Sequence, residues 1–269
     1  MHALIAKIKS STVFLSRLPL RINEGDEPLD FSGSSPTFPI AGLIIALPIA
    51  LFVLGASSLS LPDVLTAILA VALSVLVTGG LHEDGLADTI DGFWGGHTVE
   101  RRLEIMRDSS IGTYGVIALV LSLMMRTSMI YLILNTFDGP AAALILIAVF
   151  SLSRTAMLLP WSRLPPARQN AEEGVDTNGK ETSGLSARFG SPDSKALGLA
   201  LVYSIPAIVI LIGVSGPVST VVALFLALLA AAAMIHLASH HVGGHTGDIL
   251  GATQQLSELG LLLGLVWTM

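Results

Sequence analysis

Cysteine is absent from this 269-residue chain, which excludes disulfides, thiolate metal sites and a cysteine nucleophile. Charge is scarce as well. Asp, Glu, Lys and Arg make up 13% of the residues against 52% hydrophobic ones, a balance far outside that of soluble globular domains. A cleavable signal peptide is not expected either. Residues 1–21 mix Lys7, Lys9 and Arg17 with Leu4, Ile5, Ile8, Phe14 and Leu15, and they lack a continuous apolar core. Positions 1–30 therefore read as an interfacial amphipathic segment.

What the chain has instead is apolar length, with a mean hydropathy of +0.75. Runs long enough to cross a bilayer occupy 38–60, 62–80, 111–134, 140–160, 196–214 and 217–238. A seventh, 248–269, is interrupted by Gln254, Gln255 and Glu258. The expected fold class is all-α: a polytopic integral membrane protein of six to seven transmembrane helices, built as a single helical membrane domain over 1–269.

Lys and Arg are missing from the short connectors 56–61, 135–139 and 215–217. Twelve of the fourteen, all but Arg126 and Arg154, fall in the alternate segments, which the positive-inside rule places in the cytoplasm. The N-terminus, a cytoplasmic-facing active site and the region from His240 to Asp248 then share one side. The least hydrophobic stretch, 161–195, carries Pro165-Pro166, Glu172-Glu173 and Asn178-Gly179 and reads as a mobile cytoplasmic loop able to close over a substrate. The net charge of −6 does not conflict with this orientation, because the rule counts Lys and Arg alone.

The most informative stretch runs from Gly79 to Gly92, Gly-Gly-Leu-His-Glu-Asp-Gly-Leu-Ala-Asp-Thr-Ile-Asp-Gly. Glu83, Asp84, Asp88 and Asp91 crowd into it directly after an apolar run. On a helix at roughly 100° per residue, the three aspartates fall within about 60° of one another, so their charges repel unless a cation sits between them. An all-oxygen carboxylate set suits Mg²⁺, which keeps part of its shell for water and substrate phosphates. Glu83, Asp84, Asp88 and Asp91 are therefore the candidate metal ligands, and Asp84, Asp88 and Asp91 the candidate catalytic residues.

Arg102, Arg107 and Asp108 follow in Arg101–Gly115 and are candidates for binding substrate, guanidinium groups being suited to grip phosphate oxygens; the alternative is that the arginines anchor the chain at the headgroups. Arg126 and Arg154 lie within predicted spans, where charge is expensive, and should face the interior. Arg126 is expected to neutralise carboxylates of the metal cluster, and Arg154 to contact a substrate phosphate. His82 and His245 each sit in a glycine motif and read first as structural hydrogen-bonding residues, with a phosphate contact or a part in proton transfer as the functional alternatives; His82 is kept among the substrate-binding candidates. Gly243–Thr253 aligns without gaps on Gly79–Thr89, matching Gly79, Gly80, Asp84, Leu86 and Thr89. This echo proposes Asp248 as a counterpart of Asp84 across one cavity.

The motifs at 79–92, 101–115 and 243–254, together with Phe14–Pro19 and Ser153-Arg154, closely resemble the cobalamin synthase (adenosylcobinamide-GDP ribazoletransferase) family over nearly the whole chain. That resemblance implies a Mg²⁺-dependent enzyme of the bacterial cytoplasmic (inner) membrane. Its substrates would be adenosylcobinamide-GDP and α-ribazole or its 5′-phosphate, and GMP would be released. It implies direct displacement, with Asp91 as base by analogy with CDP-alcohol phosphotransferases. Membrane lipid, and a second copy or other cobalamin-assembly enzymes, are the expected neighbours; nucleic acid is not. A Mg-dependent membrane prenyltransferase would use the same aspartate spacing but does not need the Gly243–Thr253 motif. A transporter would use Arg126 and Arg154 as pathway residues and release no product.

Overall fold

The computed structural model describes residues 2–20, 31–167 and 191–269, and every regular element among them is helical. α1 (His2–Leu15) precedes a short helix, α2 (Phe31–Ser34), which a 3-10 turn at Ser35–Thr37 joins to α3 (Phe38–Ser58). α4 (Asp63–Thr78) returns and breaks into α5 (Leu81–Gly95). α6 (Val99–Ile105), α7 (Thr113–Thr136), α8 (Gly139–Ala156) and α9 (Leu158–Arg163) follow. α10 (Ser194–Val242) and α11 (Gly247–Trp267) close the chain.

Five of these stretches are long and apolar enough to cross a membrane: α3 with its lead-in, α7, α8 running on into α9, α10 and α11. The bent pair α4 and α5 makes a sixth if counted as one. At 49 residues α10 is too long for one crossing, since about 1.5 Å per residue makes it more than twice the ~30 Å hydrocarbon thickness. Gly216 (φ 84°, ψ 164°) breaks it, and Pro217 starts a second limb. The limbs, 194–215 and 217–242, each have a membrane's length, as the separate apolar runs at 196–214 and 217–238 lead one to expect. The protein is an all-α polytopic membrane protein.

α8 and α11 are the inner pair, with 78% and 83% of their spanning windows buried, against 28% for α7 and 33% for α10. The outward faces stay apolar, as at Leu201, Val209, Val218 and Phe225, an arrangement suited to lipid and not to water. Because lipid offers apolar helices no hydrophobic drive to associate, close packing decides where they meet. A Cβ at Gly264 would run into the backbone of Ala223, and one at Gly42 would stand 2.6 Å from the Phe150 carbonyl oxygen.

The N-terminal segment is divided in its environment. Leu4 and Ile5 are exposed on α1, whereas Leu15 is fully buried and the Ser11 hydroxyl lies 2.8 Å from that of Thr37. The second half of α1 is thus docked on the start of α3. Of the loop expected at 161–195, Trp161 is buried in α9 and Pro166 pairs with His245, while 168–190 lie outside the described residues.

Candidate active site

The site begins where α4 stops. Gly79 (φ 66°) and Gly80 (φ 70°) occupy left-handed backbone that side chains disfavour. Their amides bond back to the carbonyls of Leu76 and Val75, closing α4, and α5 leaves at 88°. Glu83 and Asp84 fall in the first turn of α5, where the helix dipole favours negative charge.

The four carboxylates of α5 do not converge on one point. Asp84 is exposed and Asp88 half-buried, and both line a cleft of about 620 Å³ with Arg17, Arg107 and Asp108. Asp91 is buried and occupied: its Oδ2 accepts the Gly112 amide at 2.7 Å and its Oδ1 the Gly115 amide at 2.9 Å. It hangs the start of α7 on α5. Glu83 turns inward, its Oε1 accepting from Arg126 Nη1 at 2.7 Å and from Gln255 Nε2 at 3.1 Å. The four-ligand set expected from spacing is therefore divided by its second partners, which helical angle alone does not reveal. Among the described residues, no three His, Asp or Glu side chains form a ready-made metal site. Negative charge still gathers at the cleft, where Asp84, Asp248 and Asp91 all bear on Asp88.

The inward-facing charges form their own network. Arg126 pairs with Glu83 and, at 3.0 Å, with Glu258; Arg154 reaches Glu258 at 3.3 Å and lies 4.5 Å over the Phe150 ring. Gln254 Nε2 donates to Glu258 at 2.6 Å. Arg154, 1% exposed, is thus a buried counterion and lines neither cavity, a correction to its expected phosphate contact. Sequence reading missed Glu258 as the partner of both arginines. Its signal was there as the carboxylate interrupting the seventh apolar run, in a chain with two arginines at membrane depth.

Arg102 also departs from expectation. Its Nε donates to the Gly96 carbonyl at 3.0 Å and its Nη1 to that of His241 at 2.9 Å, tying α6 to the end of α10. Arg107 does face the cleft, and Arg17 joins it there, its side chain lying so close to Gly79 that a Cβ would stand 2.7 Å away. Arg17 lay within the Phe14–Pro19 stretch but carried no distinguishing spacing. Asp108 stands at the rim and accepts the Ser110 amide at 2.9 Å, which holds its carboxyl below the usual range.

A second cavity, of about 200 Å³, lies between α5 and α11. The two glycine motifs meet here. A Cβ at Gly85 would stand 2.8 Å from the Asp248 carbonyl oxygen, and one at Gly251 3.4 Å from Gly85 Cα. Asp84 and Asp248 both line this space, and Asp84 also lines the larger cleft, so the two cavities adjoin at this residue. His82 and His245 line the smaller one too. The His245 amide donates to the Pro165 carbonyl at 2.8 Å, and its carbonyl accepts from Ala167 at 3.0 Å. Burial pushes the His245 ring down to about 4, which keeps it neutral.

Comparison with known proteins is consistent along the whole chain. Residues 7–266 match the family described as Cobalamin-5-phosphate synthase. Proteins named adenosylcobinamide-GDP ribazoletransferase are similar to it: that of Azorhizobium caulinodans is 41% identical over 98% of this chain and 96% of its own. That of Sinorhizobium medicae is 40% identical over 95% and 94%, and that of Bradyrhizobium diazoefficiens 38% over 96% and 92%. No solved structure matches.

Proposed function

The chain belongs to the cobalamin-5-phosphate synthase family, and on that premise we infer that it joins adenosylcobinamide-GDP to α-ribazole, or to α-ribazole 5′-phosphate, with release of GMP. The observation that carries this reading is coverage: relatives bearing the transferase name align over nearly the whole chain. No such support attaches to a prenyltransferase or a transporter.

The geometry supports an in-line displacement. The ribazole hydroxyl oxygen bonds to the corrinoid-linked phosphorus, the bond to GMP breaks, and GMP leaves with the electron pair. Arg17 and Arg107 grip the pyrophosphate oxygens from the rim of the cleft. Asp91, with both oxygens engaged by α7 amides, is a positioning residue. The hydroxyl proton passes to Asp248, which lines the smaller cavity with Asp84 and accepts from the Thr246 hydroxyl at 3.1 Å.

Mg²⁺ is commonly held by one or two carboxylates plus substrate phosphates, so Asp84 and Asp88, side by side on the larger cleft, fit it on the protein side. When bound it would offset charge developing on the transferring phosphoryl group. We place the enzyme in the bacterial inner membrane with its N-terminus and cleft in the cytoplasm, on the strength of the lysine and arginine distribution.

The test is purified protein in lipid nanodiscs with adenosylcobinamide-GDP and α-ribazole. GMP and the cobalamin product should appear in equal amounts with Mg²⁺ and stop on chelation. Asp88→Asn should lower turnover by about a hundredfold, with part recovered at high Mg²⁺. Product formed without GMP, or undiminished after chelation and in Asp88→Asn, would overturn the displacement and the metal assignment respectively.

A further inference from the structure

The smaller cavity holds two polar rings that the chemistry above does not use. His82 and His245 are each 1% exposed, and neither nitrogen of either ring has a hydrogen-bond partner among the described residues. A buried polar group left without a partner costs about 1–3 kcal/mol, so two imidazoles facing one space mark a place for a ligand carrying a complementary group. The rest of the wall is apolar: Phe14, Met157, Trp161 and Leu250. Phe14 and Trp161 both pack on Phe38, with ring centroids 6.2 and 5.8 Å away, which fixes the aromatic side of the wall.

Size and polarity choose among the parts of the two substrates. Sites for drug-sized ligands run to about 300–1,000 Å³, so a cavity of about 200 Å³ admits one small ring system and neither a whole nucleotide nor a corrinoid. Guanine carries donors and acceptors around its edge, more than two imidazoles can satisfy. The ring of a benzimidazole nucleoside is apolar except for one free nitrogen, a single acceptor, and a neutral imidazole has one N–H to offer it.

We propose that the benzimidazole ring of the ribazole acceptor enters the cavity between α5 and α11, where one of the His82 and His245 imidazoles donates its N–H to the free ring nitrogen and the Trp161 side supports the ring's face. The larger cleft is left to the nucleotide diphosphate. The acceptor hydroxyl then lies where the cavities adjoin, at Asp84 and Asp248. The assignment rests on the ribazoletransferase reading, and it names the specificity determinants of that reaction.

The experiment uses full-length protein in nanodiscs and measures the KM of each substrate and the equilibrium binding of α-ribazole alone. A Cβ at Gly247, which lines the cavity, meets no atom within 4 Å, so Gly247→Phe should fold and add bulk at the cavity's edge. It should raise KM and Kd for α-ribazole at least tenfold while leaving KM for adenosylcobinamide-GDP within twofold. Wild type should prefer α-ribazole over the indole analogue, which lacks the ring nitrogen, by roughly tenfold, the worth of one hydrogen bond. That preference should collapse in His82→Leu/His245→Leu. Raised KM for adenosylcobinamide-GDP alone, or unchanged constants and an unchanged indole preference in a protein that turns over, would overturn the acceptor site. Gly247-sensitive binding of α-ribazole in a protein that makes no product would uphold the site and sink the reaction instead.

Discussion

Glu258 illustrates how much one residue can hold together in a low-dielectric interior. It pairs with Arg126 and Arg154 and accepts from Gln254, so two guanidinium groups at membrane depth are set against two carboxylates, Glu83 and Glu258. Breaking a buried pair by removing one partner costs about 3–5 kcal/mol, because a charge is left without its counterion. Glu258→Gln should therefore lower the melting temperature in detergent sharply. Adding Arg154→Met restores neutrality, leaving Arg126 with Glu83, and the double variant should melt above the Glu258→Gln single variant. A double variant no more stable than that single one would show that the charges are not coupled. The sequence makes the need for such a network visible, since Arg126 and Arg154 both require counterions. It does not make the partner visible: hydropathy measures how deep a residue lies, and partner choice is set by which helices α11 packs against.

At the scale of elements, α5 and α11 meet through glycine. Gly85 and Gly251 both lie in this contact but tolerate a methyl group very differently, one meeting backbone at 2.8 Å and the other at 3.4 Å, which is ordinary contact. Gly85→Ala should push the Asp248 backbone away and lower kcat at least tenfold, whereas Gly251→Ala should change it less than twofold. Equal effects in steady-state turnover would show that helix spacing does not set the alignment of Asp84 and Asp248. Apolar run length placed α3, α4, α7, α8 and α11 within a few residues, because membrane thickness fixes how long such runs are. The gap-free match of Gly243–Thr253 on Gly79–Thr89 likewise pointed to Asp248 beside Asp84. Spacing on α5 misled where a second element intervened: helical angle groups Asp84, Asp88 and Asp91, yet α7 claims Asp91 through two amides. Arg102 is the same case, a cation in the expected segment drawn off by the carbonyls of Gly96, just after α5, and of His241, near the end of α10.

For the whole molecule, orientation decides whether the cleft can meet its substrates. Arg17, Arg107 and Asp108 rim the cleft, and they belong to the segments that carry the chain's lysines and arginines. The connectors after α3 and α7 and the break in α10 at Gly216 carry neither residue. On the proposed orientation, in which the segments rich in Lys and Arg lie inside, the cleft would open to the cytoplasm. Because the chain has no cysteine, single thiols report position without background. Ser58→Cys, Thr136→Cys and Ser215→Cys should react with a membrane-impermeant maleimide in intact cells from which the outer membrane has been stripped. His97→Cys, in the exposed turn between α5 and α6, should react only after the inner membrane is opened. Each variant should first be shown to release GMP, so that labelling reports the working fold. The inverse pattern in active variants would turn the cleft outward and separate the proposed chemistry from its nucleotide substrate.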